Sequence, residues 1–198
     1  MSLSPPEELR ILERQLETQL NCPLTSSVGR LFDAAAALVG ISPRVTYEAQ
    51  AACEFEAVAD RAESGGYSFA VEEGILNPIP ALRELARDLT AGTPVPGIAA
   101  RFHNGLADAV VRVCLGIREQ YGLSRVALSG GVWQNEFLLG RTVAGLEKEA
   151  FDVLWHQRVP PNDGGLALGQ AVIAAVQARR AGGSETRGEE ALSPAGDA

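Results

Sequence analysis

The sequence predicts an α/β fold with a partly parallel sheet, and three stretches carry the prediction. Arg125 to Leu139, RVALSGGVWQNEFLL, passes from an apolar, β-branched run (Val126, Ala127, Leu128) through Ser129-Gly130-Gly131 into a helix-compatible segment. Phe151 to Gln157, FDVLWHQ, reads as a second short strand, followed by the loop VPPNDGG and a strongly apolar helix, LALGQAVIAAVQARR, ending at Gly182. Upstream, SGGYSFAVEEG alternates Tyr67, Phe69 and Val71 against Ser68, Ala70 and Glu72, the period of a half-buried strand. Strands separated by helices in the second half of a chain are the pattern of parallel βα units.

From the N-terminus, Pro5 and Pro6 ahead of EELRILERQLETQL start a helix. Acids fill its first turn, Leu9, Leu12, Leu16 and Leu20 fall at helical spacing, and Asn21-Cys22-Pro23 breaks it. Thr25, Ser26 and Ser27 offer N-caps to a second helix through Leu38, ended by Gly40. Its apolar face is Leu31, Ala35 and Leu38 with Phe32 beside it. Arg30 and Asp33 are then either an exposed i,i+3 ion pair or side chains with another role. A third helix is expected from about Tyr47 to Ala62. Two consecutive Ala-rich helices pack closely, which suits the edge or lid of a cleft. After the Tyr67–Glu72 strand, Pro78 and Pro80 flank a link into ALRELARDLTAG, an amphipathic helix closed by Gly92. The longest helix is expected from about Pro96 to Tyr121, with Phe102, Leu106, Val110, Val113 and Ile117 as its buried stripe. The final stretch, GGSETRGEEALSPAGDA, is polar with Gly and Pro and reads as a disordered tail. The expected organisation is an N-terminal helix or leader over 1–20, one domain over 21–182 and a tail over 183–198. The MSL start is consistent with a leader added for expression.

Composition sets the outer limits. A hydrophobic content of 46% with 21% charged residues is that of a globular protein. A net charge of −8 argues against a sequence-independent grip on nucleic acid, which needs clustered Lys and Arg. It leaves room for one bound nucleotide, which depends on local backbone donors. Apolar runs fall far short of the ~20 residues that cross a bilayer, and no basic stretch followed by an apolar core marks a signal peptide. Cys22, Cys53 and Cys114 are odd in number, widely spaced and without a CxxC. Reduced thiols in a cytoplasmic protein are expected.

The residues that could carry chemistry cluster at two glycine pairs. Gly130 and Gly131 let the backbone turn tightly and a ligand approach the main chain. The helix after them would aim free N–H groups and the positive end of its dipole over the turn, with Asn135 one turn into that helix. An ordinary βα turn is the alternative. Asp163, in VPPNDGGLALGQA, is a carboxylate on a glycine-bounded loop and could hold a metal or a phosphate-bound Mg²⁺, or serve only as a turn residue. His103 and His156 are the sole histidines, without HxxxH or HExxH, which argues against a self-contained histidine metal site. His156 is expected to be a strand-end histidine satisfied by backbone; His103, in RFHN, is a possible site residue. No GxSxG elbow, no GxxxxGK[ST] loop and no GxGxxG is present.

TSSVGRLFDAAAALVGI, TYEAQAACEFEAVA, IAARFHNGLADAVV, LSGGVWQNEFLL and VPPNDGGLALGQA follow one another in the order and approximate spacing of one family. From about Asn21 to Ala178 the chain resembles the C-terminal lobe of HypF, the carbamoyltransferase family of nickel–iron hydrogenase maturation. More broadly, it is similar to the second lobe of carbamoyl-nucleotide enzymes whose other branch, TsaD-type, modifies tRNA with threonylcarbamoyl. SSVGRLFDA together with PPNDGG favours the HypF branch. The resemblance implies the second lobe of an actin/hexokinase/Hsp70-like (ASKHA) fold, RNase H-like, with a mixed sheet flanked by helices.

By that resemblance, Asp33 matches the acid used on the nucleotide ribose, and Glu48 a second ribose-side group. Gly130 and Gly131 match the turn under the adenosine, and Asn135 the amide that contacts the nucleotide. Asp163 matches the aspartate of a divalent metal site (iron or zinc) whose histidines come from the other lobe. Ala49 stands where the family pattern has Gly. Arg30 and His103 are further possible site residues, and no residue is assigned to catalysis itself. The implied cofactor is ATP with Mg²⁺. The implied partners are the first ASKHA lobe, upstream domains that process carbamoyl phosphate, and HypE, whose C-terminal cysteine receives the carbamoyl group. No nucleic acid or membrane is expected. Without the upstream domains and the first lobe, little transferase activity and weak nucleotide affinity are expected of this chain. A TsaD-type lobe and a non-catalytic ASKHA-like binding module are the alternatives.

Overall fold

The longest helix carries the fold. The computed structural model describes residues 5–72 and 74–185. In chain order come α1 (Pro6–Thr18), α2 (Val28–Leu38), α3 (Gln50–Ala57), β1 (Ala70–Glu72), β2 (Ile75–Asn77), α4 (Ile79–Thr90) and α5 (Val95–Tyr121). Then follow β3 (Arg125–Leu128), α6 (Glu136–Lys148), β4 (Asp152–Trp155) and α7 (Leu166–Glu185), with single 3₁₀ turns at Gly131–Gln134 and Asp163–Gly165. Pro94 and Pro96 set the start of α5, and Gly122 ends it in the left-handed conformation with its N–H on the Arg118 carbonyl.

The first half of α5 is buried nearly all round. Ile98, Ala99, Phe102, His103, Leu106, Ala107 and Ala109 all sit in the interior. Phe102 meets Phe32, Phe55 and Phe69 edge-on at centroid separations of 5.3, 5.8 and 5.6 Å, so one aromatic cluster joins α2, α3 and the segment before β1 to α5. The predicted stripe holds for Phe102 and Leu106. Val110 and Val113 are half-buried and Ile117 is exposed, because beyond Ala109 the helix covers only the small cluster of Leu128, Leu146 and Phe151. On α2 the buried face is Phe32, Ala35 and Ala36, and Leu38, expected inside, faces out.

Two backbone features correct the expected elements. The third helix is shorter than Tyr47–Ala62. Ala49 takes a left-handed conformation at its N-cap (φ 63°), and beyond Ala57 the chain leaves the helix so that the Asp60 N–H reaches the Pro96 carbonyl. The alternating stretch is not a strand from Tyr67. Tyr67 and Phe69 do point into the core, but against α5, where the Tyr67 N–H donates to the Arg101 carbonyl at 3.0 Å. Gly66 and Gly105 make that approach possible: a Cβ at Gly105 would lie 2.1 Å from the Tyr67 carbonyl oxygen. Only Ala70–Glu72 pairs, antiparallel with β2.

β3 and β4 pair in parallel, with Arg125 opposite Asp152 and Leu128 opposite Trp155, and α6 forms the crossover between them. The mixed strand directions thus reside in two separate two-stranded ladders, one antiparallel and one parallel. α1 contributes no residue to the core, and Leu166, Leu168, Val172 and Ile173 on α7 are exposed. α7 runs past Gly182 to Glu185, into the stretch expected to be a tail; residues 186–198 of that stretch, and residues 1–4 of the expected leader, lie outside the described residues. No helix among the described residues is long and apolar enough to cross a membrane.

Candidate functional site

A cleft of about 630 Å³ opens between the first turn of α2, one face of α3 and the two glycine loops. Ser27, Gly29 and Arg30 line it from α2. Glu48, Ala49, Cys53 and Glu56 line it from α3 and its approach. Gly131, Gln134, Asn135, Asn162 and Asp163 line it from the loops. Ser27 caps α2, its hydroxyl accepting the Arg30 N–H at 3.3 Å, so that helix start is fixed by its own sequence.

The two glycine loops form one wall because they are stitched together. The Gly130 N–H donates to the Pro161 carbonyl at 2.9 Å, and the Asn162 side-chain NH₂ donates to Gln134 Oε1 at 3.1 Å. Asn162 also caps the second 3₁₀ turn, accepting the Gly164 N–H. The glycines differ in what requires them. Gly130 has φ 107°, which disfavours any residue with a Cβ. Gly131 faces the cleft with ordinary φ, and a Cβ there would rest 3.6 Å from the Cβ of Asn162.

Asn135 is not one turn into a helix; it is the N-cap of α6. The 3₁₀ turn Gly131–Gln134 uses up the residues expected to begin the helix, and Asn135 has extended backbone (φ −71°, ψ 104°). Its Oδ1 accepts the Leu138 N–H at 2.8 Å, and its NH₂ donates to His103 Nε2 at 2.9 Å. The start of α6 is therefore not a free anion seat. Its Phe137 N–H is already taken by Glu56 Oε1 at 2.9 Å. Glu56 is not legible in the sequence because its partner lies 81 positions away and nothing local in CEFEAVA marks it.

Arg30, Glu48, Gly131, Asn135 and Asp163 are thus brought to one cleft. Asp33 lies outside its lining and holds the Arg30 guanidinium at 3.0 Å, the i,i+3 pair allowed by their spacing. Gly130 is not among the lining residues and instead ties the two loops together through its N–H to the Pro161 carbonyl. His103 is fully buried among Phe32, Phe55, Phe102 and Phe137, and burial lowers its pKa to about 4. His156, expected to meet backbone, instead has Nε2 3.2 Å from the Ser129 hydroxyl, a tie between the ends of β3 and β4. Among the described residues no group of three or more His, Cys, Asp or Glu is arranged to hold a metal ion. Asp163 offers one exposed carboxylate, so the described residues do not by themselves fit a metal centre.

Residues 2–170 match the family described as the second subdomain of the carbamoyltransferase Kae1-like domain. The chain belongs to the HypF carbamoyltransferase family. It is 36% identical over 170 residues to the carbamoyltransferase HypF of Synechocystis, a match covering 84% of this chain and 22% of that one. The probable carbamoyltransferase HypF of Methanocaldococcus jannaschii is 34% identical over 167 residues, again 84% of this chain and 22% of the relative. A HypF homolog of Cupriavidus necator is 38% identical over 195 residues, 93% of this chain and 49% of the relative. A crystal structure of full-length HypF in the phosphate- and nucleotide-bound form superposes with a TM-score of 0.81 at 36% identity, covering 86% of this chain and 23% of that chain. The HypF of T. kodakarensis superposes at 0.75 with 25% identity, over 89% of this chain and 23% of that one. The chain therefore spans only part of the length of its HypF relatives, and the fold is that of their Kae1-like second subdomain.

Proposed function

We propose that this chain is the nucleotide-side half of a HypF-type carbamoyltransferase site. The observation that carries the reading is the cleft itself, walled by two glycine loops that hydrogen-bond to each other and faced by the capped start of α2. In this reading Gly131 lets the adenosine lie against the main chain, and Glu48 and the Arg30–Asp33 pair sit on the ribose side. The stitched loops hold that surface rigid, so that little ordering remains to be done when the ligand binds. Asp163 would give one ligand to a divalent metal, iron or zinc, whose histidines lie in the first ASKHA lobe. The substrates proposed for the complete enzyme are ATP with Mg²⁺ and carbamoyl phosphate processed by upstream domains. Carbamoyl-adenylate would then donate its carbamoyl group to the C-terminal cysteine of HypE. The contribution of this chain is orientation, and exclusion of water from a reactive anhydride once the second lobe closes.

Half a site binds weakly. Calorimetry with ATP and Mg²⁺ is expected to show little binding by this chain alone, and clear binding by the full-length enzyme that is lost on Gly131→Val. Micromolar binding by the chain alone would overturn the half-site reading. Binding by the full-length enzyme that is indifferent to Gly131→Val would overturn the placement of the nucleotide.

A further inference from the structure

His103 and Asn135 form a relay that crosses from the interior of α5 to the wall of the cleft. The His103 Nδ1 atom lies 2.7 Å from the Ala99 carbonyl oxygen, which can only accept, so Nδ1 carries the proton. Nε2 is then the bare nitrogen and accepts from the Asn135 NH₂ at 2.9 Å. The orientation of that amide is fixed independently, because its Oδ1 accepts the Leu138 N–H. Each polar atom of the two side chains has one partner of the correct type, and the last partner is the first turn of α6.

A histidine that only filled space would gain nothing from this arrangement. Its ring stacks on Phe137 with 5.2 Å between centroids and 15° between planes, and Phe32 and Phe55 close the remaining sides. Phenylalanine would fit such a cage at no polar cost, whereas a buried imidazole must satisfy two nitrogens. What the imidazole adds is an acceptor aimed at Asn135. Asn135 in turn fixes the junction between the 3₁₀ turn and α6, and its own N–H closes that turn on the Val132 carbonyl.

We propose that His103 is a positioning residue that acts through Asn135 to hold the Gly130–Gly131 turn and the start of α6 as the wall of the cleft. Its catalytic consequence rests on the nucleotide reading above; the relay itself does not.

The relay is tested in this chain by NMR of the ¹⁵N-labelled imidazole. The expected signature is a proton on Nδ1, a bare Nε2 and no titration between pH 6 and 8; a proton on Nε2 would overturn the proposal. In the same chain, His103→Leu is expected to shift the Gly130, Gly131 and Leu138 amide signals, and His103→Gln, which keeps an acceptor, to restore them in part. Unmoved glycine signals would overturn it. In the full-length enzyme, His103→Leu and Asn135→Ala are each expected to raise the nucleotide KM about tenfold, the worth of one helix cap. The double variant should cost no more than either single change, because both break one relay. Additive effects would mean that His103 serves only the core. An unchanged KM with the NMR signature intact would overturn the nucleotide reading and leave the relay standing.

Discussion

Gly105→Ala tests the backbone contact on which the whole interior is set. A Cβ at position 105 would lie 2.1 Å from the Tyr67 carbonyl oxygen, 2.7 Å from its nitrogen and 2.9 Å from its carbonyl carbon. Close carbon–oxygen contacts in proteins lie near 3.3 Å, so the Gly66-Tyr67 backbone must retreat by about 1 Å. No flexible side chain is available to absorb that shift. Retreat stretches the Tyr67 N–H bond to the Arg101 carbonyl and the two bonds from the Asn104 NH₂ to the Glu63 and Gly65 carbonyls. Overpacking of this kind costs about 1–3 kcal/mol, and a weakened buried hydrogen bond about 1 more. Alanine returns up to ~1 kcal/mol through helix propensity. The expected net loss is about 1–3 kcal/mol, or roughly a 2–12 °C fall in Tm for a chain of this size. Urea unfolding followed by circular dichroism measures it directly. Gly116→Ala is the control, since it lies in the same helix with no atom within 4 Å of its Cβ. That change should stabilise by up to ~1 kcal/mol. If Gly105→Ala behaved like Gly116→Ala, the close approach of α5 to Tyr67 would be wrong.

Two further outcomes are expected. Ala49 holds φ 63° and ψ 8° at the N-cap of α3, a conformation that costs an L-residue about 1 kcal/mol, so Ala49→Gly should raise Tm by roughly 2–4 °C in a thermal melt; a lower Tm would show that the position is unstrained. The second concerns acid. His103 has a folded-state pKa of about 4 against an ordinary unfolded value near 6.5, so between those values the unfolded chain takes up the proton and the folded chain does not. The stability associated with neutral His103 is whole above pH 6.5 and falls as pH drops toward 4, by about 3 kcal/mol in all. Of the charged side chains, Arg61 also disfavours the imidazolium, whereas the Ala99 carbonyl favours it. Urea midpoints at pH 7.5, 5.5 and 4.5 should therefore fall less steeply in His103→Gln than in the parent; parallel curves would refute the assignment.

Much of the site was legible in local sequence, for reasons that can be named. A strand that stops at Ser-Gly-Gly must turn there, and a Ser directly ahead of a helical run can cap it. Gly130, Gly131, Arg30, Glu48 and Asp163 were found in that way or through the family pattern, and all but Gly130 line the cleft. Glu56 was not legible, since its role is set by the Phe137 N–H far along the chain. Gly105 was not legible either, because a glycine inside a helix looks like a mere weakness until the backbone it must admit is known. The Tyr67–Val71 alternation was real for Tyr67 and Phe69, yet periodicity cannot say whether an inward side chain meets a sheet or a helix.

The sequence by itself determined the α/β class, the order of the helices α1–α7 and of β1, β3 and β4, the partly parallel strands of the second half and the glycine turns, but not β2 or the 3₁₀ turns. These depend on periodicity, capping and glycine, all of which act over a few neighbouring residues. Only the tertiary structure decided that Asn135 is a cap rather than a helical residue, that its amide is held by a buried histidine, and that the start of α6 is filled by Glu56. Each of those outcomes depends on which donor meets which acceptor across tens of residues. That matching is fixed when α5 and α6 pack and bury polar groups that must then be satisfied.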